Sequence, residues 1–212
     1  MMHDFVITRN YAIFMDLPVV FDPCYVFHPM NAFERDGSVV IDVGRFRSMW
    51  RTGSTEFEDF ATLHRWQLDL GTVRVTETPL DDRPAEFARV ADDRVGLPNR
   101  YGYMVATRPG DGSGLMATQL LKYDLSSGAC AVHECGRGRR PGEGVFVADP
   151  DRGSAAAEDA GWVVTYVYDD ATDTSDLVII DATDFTAAPV ATVSLPRRIP
   201  FGFHGSWVPG LG

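Results

Sequence analysis

Apolar and polar residues alternate in short runs along nearly the whole chain, with Gly, Asp and Pro at the breaks. That alternation is the signature of short antiparallel strands. Residues 5–21, FVITRNYAIFMDLPVVF, hold two β-rich runs parted by the turn-like TRN. CYVFHPMNAFE and SVVIDVGRF, within 24–46, read as a hairpin across RDG, and TLHRWQLDL with VRVTETPL as another, turned at Gly71. YGYMVATR, QLLKYDL and ACAVHEC follow, then GVFVADP, GWVVTYVYD, SDLVIIDA and VATVSL. Helix is scarce: STEFEDFATL (54–63) and RPAEFARVADD (83–93) each have room for a turn or two. The final run, RRIPFGFHGSW (197–207), is apolar and glycine-flanked and reads as a last ordered strand made for burial, with His204 inside it.

One regularity goes beyond an all-β pattern. RWQLDLGTVRVTE, LKYDLSSGACAVHE and LVIIDATDFTAAPVATV share a plan of apolar strand, aspartate, short turn and second strand. Their aspartates, Asp69, Asp124 and Asp181, are almost evenly spaced. A repeat of about 50 residues with several strands per unit points to propeller blades. A propeller places strand ends around an axis, where residues from distant blades converge.

Composition narrows the function classes. With 212 residues, 45% hydrophobic and 11% aromatic, the chain can fill a core as one domain or as a piece of a larger one. A net charge of -11 argues against nucleic acid or an anionic membrane as partner, since both need clustered Lys and Arg. The one basic cluster, RGRRPG at 137–142, reads as a loop. Three cysteines, Cys24, Cys130 and Cys135, make an odd count with no C-x-x-C spacing, the usage of reduced thiols in a cytoplasmic compartment. The sequence shows neither a long apolar run nor a signal peptide, so a soluble, unexported protein is expected.

The five histidines fall into two groups. His64 and His133 lie in strands beside charged neighbours, Arg65 and Glu134, and are expected to be exposed or structural. His3, His28 and His204 each stand at a strand end beside aromatics. Imidazoles gathered from remote strands suit Fe, Zn or Cu, although no H-x-H or H-E-x-x-H pair is present.

The residues around these histidines carry a resemblance. MHDFVITRNYAIFMDLP resembles a strand segment of the carotenoid cleavage oxygenases, the family that includes lignostilbene dioxygenases and retinoid isomerases. FHPMNAFE is similar to that family's F-H-x-x-N-A-[YF]-E motif, and AEFARVADDRVGLPNRYGY to its E-[FW]-P-R-I…G…R-Y-x-Y stretch. PGEGVFVADP and FGFHGSW resemble two further motifs, in the family's order, so the likeness runs over nearly all of the chain. It implies an all-β, partial seven-bladed β-propeller of antiparallel strands, with residues 1–212 as a single incomplete domain holding the C-terminal blades. It also implies a non-haem Fe(II) centre with four histidine ligands, of which His3, His28 and His204 would be three. Glu86 and Glu143 would be two of three carboxylates that accept hydrogen bonds from ligand imidazoles. Such a carboxylate fixes the ring's tautomer and makes the ligand more basic.

Departures from the family pattern carry their own expectations. Family members are much longer, and His3 is two residues from the first, so the strands for one histidine and one glutamate are expected to be absent. Only Asp22 and Pro23 separate LPVVF from CYVFHP, where the family has a long stretch. What remains cannot close a seven-bladed ring, so unpaired edges and exposed apolar faces are expected, with self-association or a partner chain covering them. Two readings follow. One is an iron(II)-dependent dioxygenase cleaving a C=C bond of a carotenoid, apocarotenoid or stilbene with O2 into two carbonyl products. The other is a non-catalytic propeller fragment, or one half of a split enzyme.

Overall fold

The computed structural model describes residues 5–14, 24–47, 59–108, 116–153 and 156–210. Every regular element among them is a strand, save one 3-10 turn. β1 (Phe5–Ile7) and β2 (Ala12–Phe14) form a small hairpin. β3 (Tyr25–Arg35), β4 (Ser38–Phe46), β5 (Ala61–Asp69) and β6 (Arg74–Pro79) form a four-stranded meander in chain order. β7 (Ala85–Arg89), β8 (Tyr101–Thr107), β9 (Met116–Asp124) and β10 (Ala129–Glu134) form a second. In the third, β11 (Arg139–Pro141) and β12 (Val145–Ala148) lie one after the other along β13 (Gly161–Asp169), which pairs with β14 (Thr174–Asp181) and then β15 (Ala191–Ser194). Three consecutive antiparallel meanders are blades of a propeller, and the all-β expectation holds.

Turn chemistry sets the registers. Asp36 and Gly37, both at positive φ (49° and 75°), make the two-residue turn between β3 and β4 that suits the strand twist. Asp69, Asp124 and Asp181 each end the third strand of a blade, and each carboxylate accepts backbone N–H groups of the following turn. The regular spacing thus marks equivalent positions in successive blades.

Alternation decides how the blades stack. On β8 and β9, Val105 and Leu120 join a core with Phe146, Val163, Val167 and Ile180 of the third blade. Their chain neighbours Met104 and Leu121 face the other way, into a core with Met30 and Leu63 of the first. The middle blade is therefore buried on both faces, the condition that erases polar alternation from a strand.

Three local expectations need correction. Residues 85–89 form a strand rather than a helical turn, because Ala85, Glu86, Phe87 and Ala88 are all buried between blades; only Asp92–Arg94 turn as 3-10. RGRRPG is not a free basic loop: Arg139–Pro141 pair with β13, Arg139 bonds Asp169 and Asp176, and Arg140 bonds Asp170. The segment after β15 is no strand, and residues 200–210 are exposed, including Phe203, Trp207 and Val208. Of STEFEDFATL, Ala61–Leu63 open β5 and residues 54–58 lie outside the described residues. Cys130 and Cys135 are partly buried thiols, and burial pushes both up, to about 11 and about 12. Among the described residues no helix is long and apolar enough to cross a membrane.

Candidate metal centre

β3 and β7, the first strands of adjacent blades, pack against each other. His28 sits on β3 directly before Pro29, and the β3–β4 register shifts on both sides of that proline. Pro29 has no N–H for the ladder, so a bulge forms there, as bulges do where a strand re-aims a side chain. His28 is buried, and its Nδ1–H donates to Glu86 Oε2. The same carboxylate oxygen accepts the Phe87 N–H at 2.6 Å. Glu86 is buried as well, and the close seat is kept open by Gly44: a Cβ there would stand 3.3 Å from Glu86 Oε1.

β7 has its own irregularity beside this pair. The β7–β8 register shifts between Glu86 and Arg89, and Phe87 has φ of +57°. A bulky residue in the left-handed region is strained, and such strain collects at functional sites. The distortion lets Phe87 stack on the His28 ring, with centroids 4.8 Å apart and planes 25° apart. Sequence reasoning passed over Phe87; its only signal is its place directly after the motif glutamate.

His204 arrives from the exposed segment beyond β15. Its ring stands edge-on to His28, with centroids 4.8 Å apart, and its Nδ1–H donates to Glu143 Oε1 at 3.1 Å. Glu143 lies in the break between β11 and β12 and is nearly buried, whereas His204 keeps 41% of its side chain exposed. Glu143 Oε2 accepts the Gly205 N–H at 2.8 Å and Arg89 Nη1 at 3.1 Å. A cleft of about 320 Å³ adjoins the ring, walled by Glu143, Tyr166, Leu177, Phe201, Phe203 and Trp207.

The donor set can be tested for a metal. In both rings Nδ1 faces a carboxylate, which only accepts, so Nδ1 carries the proton and the lone pair of the neutral ring lies on Nε2. Two imidazoles less than 5 Å apart by centroid, each held at Nδ1 by a glutamate so that Nε2 is the atom left for a ligand bond, fit a divalent transition metal. His3 lies outside the described residues, and among those described no group of three or more His, Cys, Asp or Glu side chains gathers at one point. The other histidines stay apart from the pair. His133 is buried and donates from Nδ1 to the Phe185 carbonyl. His64 bonds Glu77 and Thr62, and burial holds it below its usual range, against the pull of Glu77. Both are structural.

The stacked meanders define a β-propeller, in which two carboxylate-backed histidines meet, one from β3 and one from the segment after β15. The chain belongs to the retinal pigment epithelial membrane protein family, whose model matches residues 18–209; the carotenoid cleavage oxygenases are among its relatives. It is 38% identical over 198 residues to the carotenoid cleavage oxygenase of Mycobacterium tuberculosis, which takes in 89% of this chain and 38% of that protein. Against the apocarotenoid-15,15'-oxygenase of Synechocystis it is 35% identical, over 86% of this chain and 38% of that one. A single-substitution mutant of Synechocystis apocarotenoid oxygenase superposes with a TM-score of 0.85 at 30% identity, over 99% of this chain and 53% of that chain. A cobalt-substituted form superposes with a TM-score of 0.78 at 32% identity, over 95% and 42%. The chain thus spans well under two thirds of the length of these relatives.

Proposed function

We propose that this chain carries the C-terminal blades and part of the iron(II) centre of a carotenoid cleavage oxygenase. The assembled enzyme would break a C=C bond of a carotenoid, apocarotenoid or stilbene, with one oxygen atom of O2 entering each of two carbonyl products. The observation that carries this reading is the His28–His204 pair, each ring backed by its own buried glutamate. The names of the relatives support the substrate class, and the cobalt-substituted relative supports a metal. Nε2 of His28 and of His204 would hold the iron, with His3 as a third ligand. When bound, the metal supplies the O2 chemistry that no side chain offers. The chain's own residues do the rest. Glu86 and Glu143 hold the Nδ1 protons and so fix both tautomers, and Phe87 limits water on the His28 side. A cytoplasmic location rests on the thiols Cys130 and Cys135.

A second reading is favoured by the exposed Phe203, Trp207 and Val208 beside a half-exposed His204. In it, the chain alone is not catalytic and awaits the rest of a propeller, supplied by another polypeptide. One experiment bears on both. The chain is prepared anaerobically with Fe(II), its iron content is compared with His28→Ala and His204→Ala, and a stilbene or apocarotenoid is supplied. We expect iron to depend on both histidines and no aldehyde to form from the chain alone. Iron content indifferent to both substitutions would remove the metal reading. Turnover that vanishes in His204→Ala would remove the second.

A further inference from the structure

The segment that presents His204 has no strand ladder of its own, so something else must hold it. Arg89, at the end of β7, donates from Nη1 to Glu143 Oε2 at 3.1 Å and to the Gly205 carbonyl at 3.1 Å. Its Nη2 donates to Asp92 Oδ1 at 3.3 Å. Glu143 in turn takes the Gly205 N–H and the His204 ring. Three groups, from β7, from the β11–β12 break and from the residue after His204, thus close into one network. A guanidinium is suited to this, because its planar fork serves several acceptors at fixed angles. The bulge at 86–89 sets the arrangement: one short strand applies Glu86 and Phe87 to His28 and Arg89 to the partner of His204.

We propose that Arg89 is the positioning residue for His204: it ties residues 204–205 to the middle blade and thereby sets the distance between the two histidines. This rests on the metal reading only for its consequence; the tether itself is made by protein groups alone. In folded Arg89→Gln, amide exchange of Gly205, followed by mass spectrometry on the peptide spanning 200–207, should quicken by about 10-fold or more, since a charge-assisted bond is lost from a segment with few others. Exchange in β8 and β9 should not change. Affinity for cobalt(II), titrated calorimetrically into the 212-residue chain, should fall by about 10- to 100-fold, and the visible spectrum of bound cobalt should change. Arg89→Lys, which keeps the charge but not the fork, should recover part of both.

Wild-type exchange at Gly205 in folded Arg89→Gln would overturn the proposal whatever cobalt does. Faster exchange with unaltered cobalt affinity would uphold the tether and overturn its setting of the distance between the histidines; cobalt affinity equally indifferent to His28→Ala and His204→Ala would remove the metal reading instead. Should Arg89→Gln fail to fold, Arg89→Lys decides by the same criterion, with an expected rise of about 3-fold from losing one of the shared bonds.

Discussion

The two histidines of the centre are held in opposite ways. His28 stands on a long strand between two packed blades, and neither it nor Glu86 exposes more than 6% of its side chain. His204 stands on an exposed segment outside any strand ladder, where Glu143 and Arg89 bond it and its neighbour and its ring meets those of His28 and Phe87. The first is fixed by the same packing that stabilises the fold, so it cannot be disturbed without disturbing the blades. The second is fixed by polar bonds and ring contacts near the surface, outside the blade ladders, so it can be released while the blades stay intact. One centre therefore has a rigid half and a releasable half.

Breaking the rigid half should cost the most. Glu86→Ala leaves the His28 Nδ1–H buried without its acceptor and opens a void, for a combined loss of about 3 kcal/mol. In a chain of this size that lowers Tm by roughly 6–12 °C, which a thermal melt followed by circular dichroism would show. A melt within a degree of wild type would mean that the His28 half is no more tightly built than the other.

The releasable half should give the reverse result. Glu143→Ala is expected to change stability by less than about 1 kcal/mol, because what it frees is already exposed. It should nonetheless lower iron content or affinity by about 10- to 100-fold, as read by metal analysis after anaerobic loading. Unchanged iron with unchanged stability would make Glu143 a turn residue only.

A smaller effect, remote from both halves, calibrates these. The hairpins after Asp69, Asp124 and Asp169 share one geometry, with a bond from the fourth residue on back to the aspartate carbonyl and a positive φ at that residue. Gly128 and Asp173 tolerate this conformation, but Val73 is β-branched and 88% exposed, with nothing to offset its strain. Val73→Gly should stabilise by about 1 kcal/mol, a Tm rise of roughly 2–4 °C, with no effect on metal.

The smallest effect concerns acid. Arg100, aided by Ser126 and Ser127, holds Asp124 well below the usual carboxylate range. Its folded form thus binds the proton less readily than the unfolded form, so its contribution is present above about pH 4 and fades as pH falls further. Asp124→Asn should flatten the acid limb of a stability–pH curve slightly, since Arg100 is half exposed and screened. A limb as steep as wild type would show that the pair contributes nothing.

Much of this was legible along the chain, for reasons that can be named. Local alternation and turn residues report strands and hairpins directly, so β3 with β4, β5 with β6 and the outer strands stand where the pattern puts them. The recurring Asp69, Asp124 and Asp181 mark the blades because each caps a turn with its own carboxylate. β7 was not legible, since the five residues AEFAR are too few for a period to distinguish strand from helix. The pairing of Arg139 and Arg140 with Asp169, Asp170 and Asp176 was hidden because those partners lie some thirty residues away in sequence.

For the site, motif resemblance supplied His28, His204, Glu86 and Glu143, yet not their contrast. FGFHGSW reads as a buried strand because apolar flanks are normally covered; whether they are covered depends on neighbouring blades, not on the run itself. Residue types, turn chemistry and the order of the blades were thus determined by the sequence, because they follow from contacts within a few residues. Which side chains are buried, that Phe87 is forced to φ of +57° against His28, and that Arg89 reaches Gly205 were decided by the tertiary structure. Those outcomes depend on packing between strands far apart in the chain, and local periodicity carries no record of it.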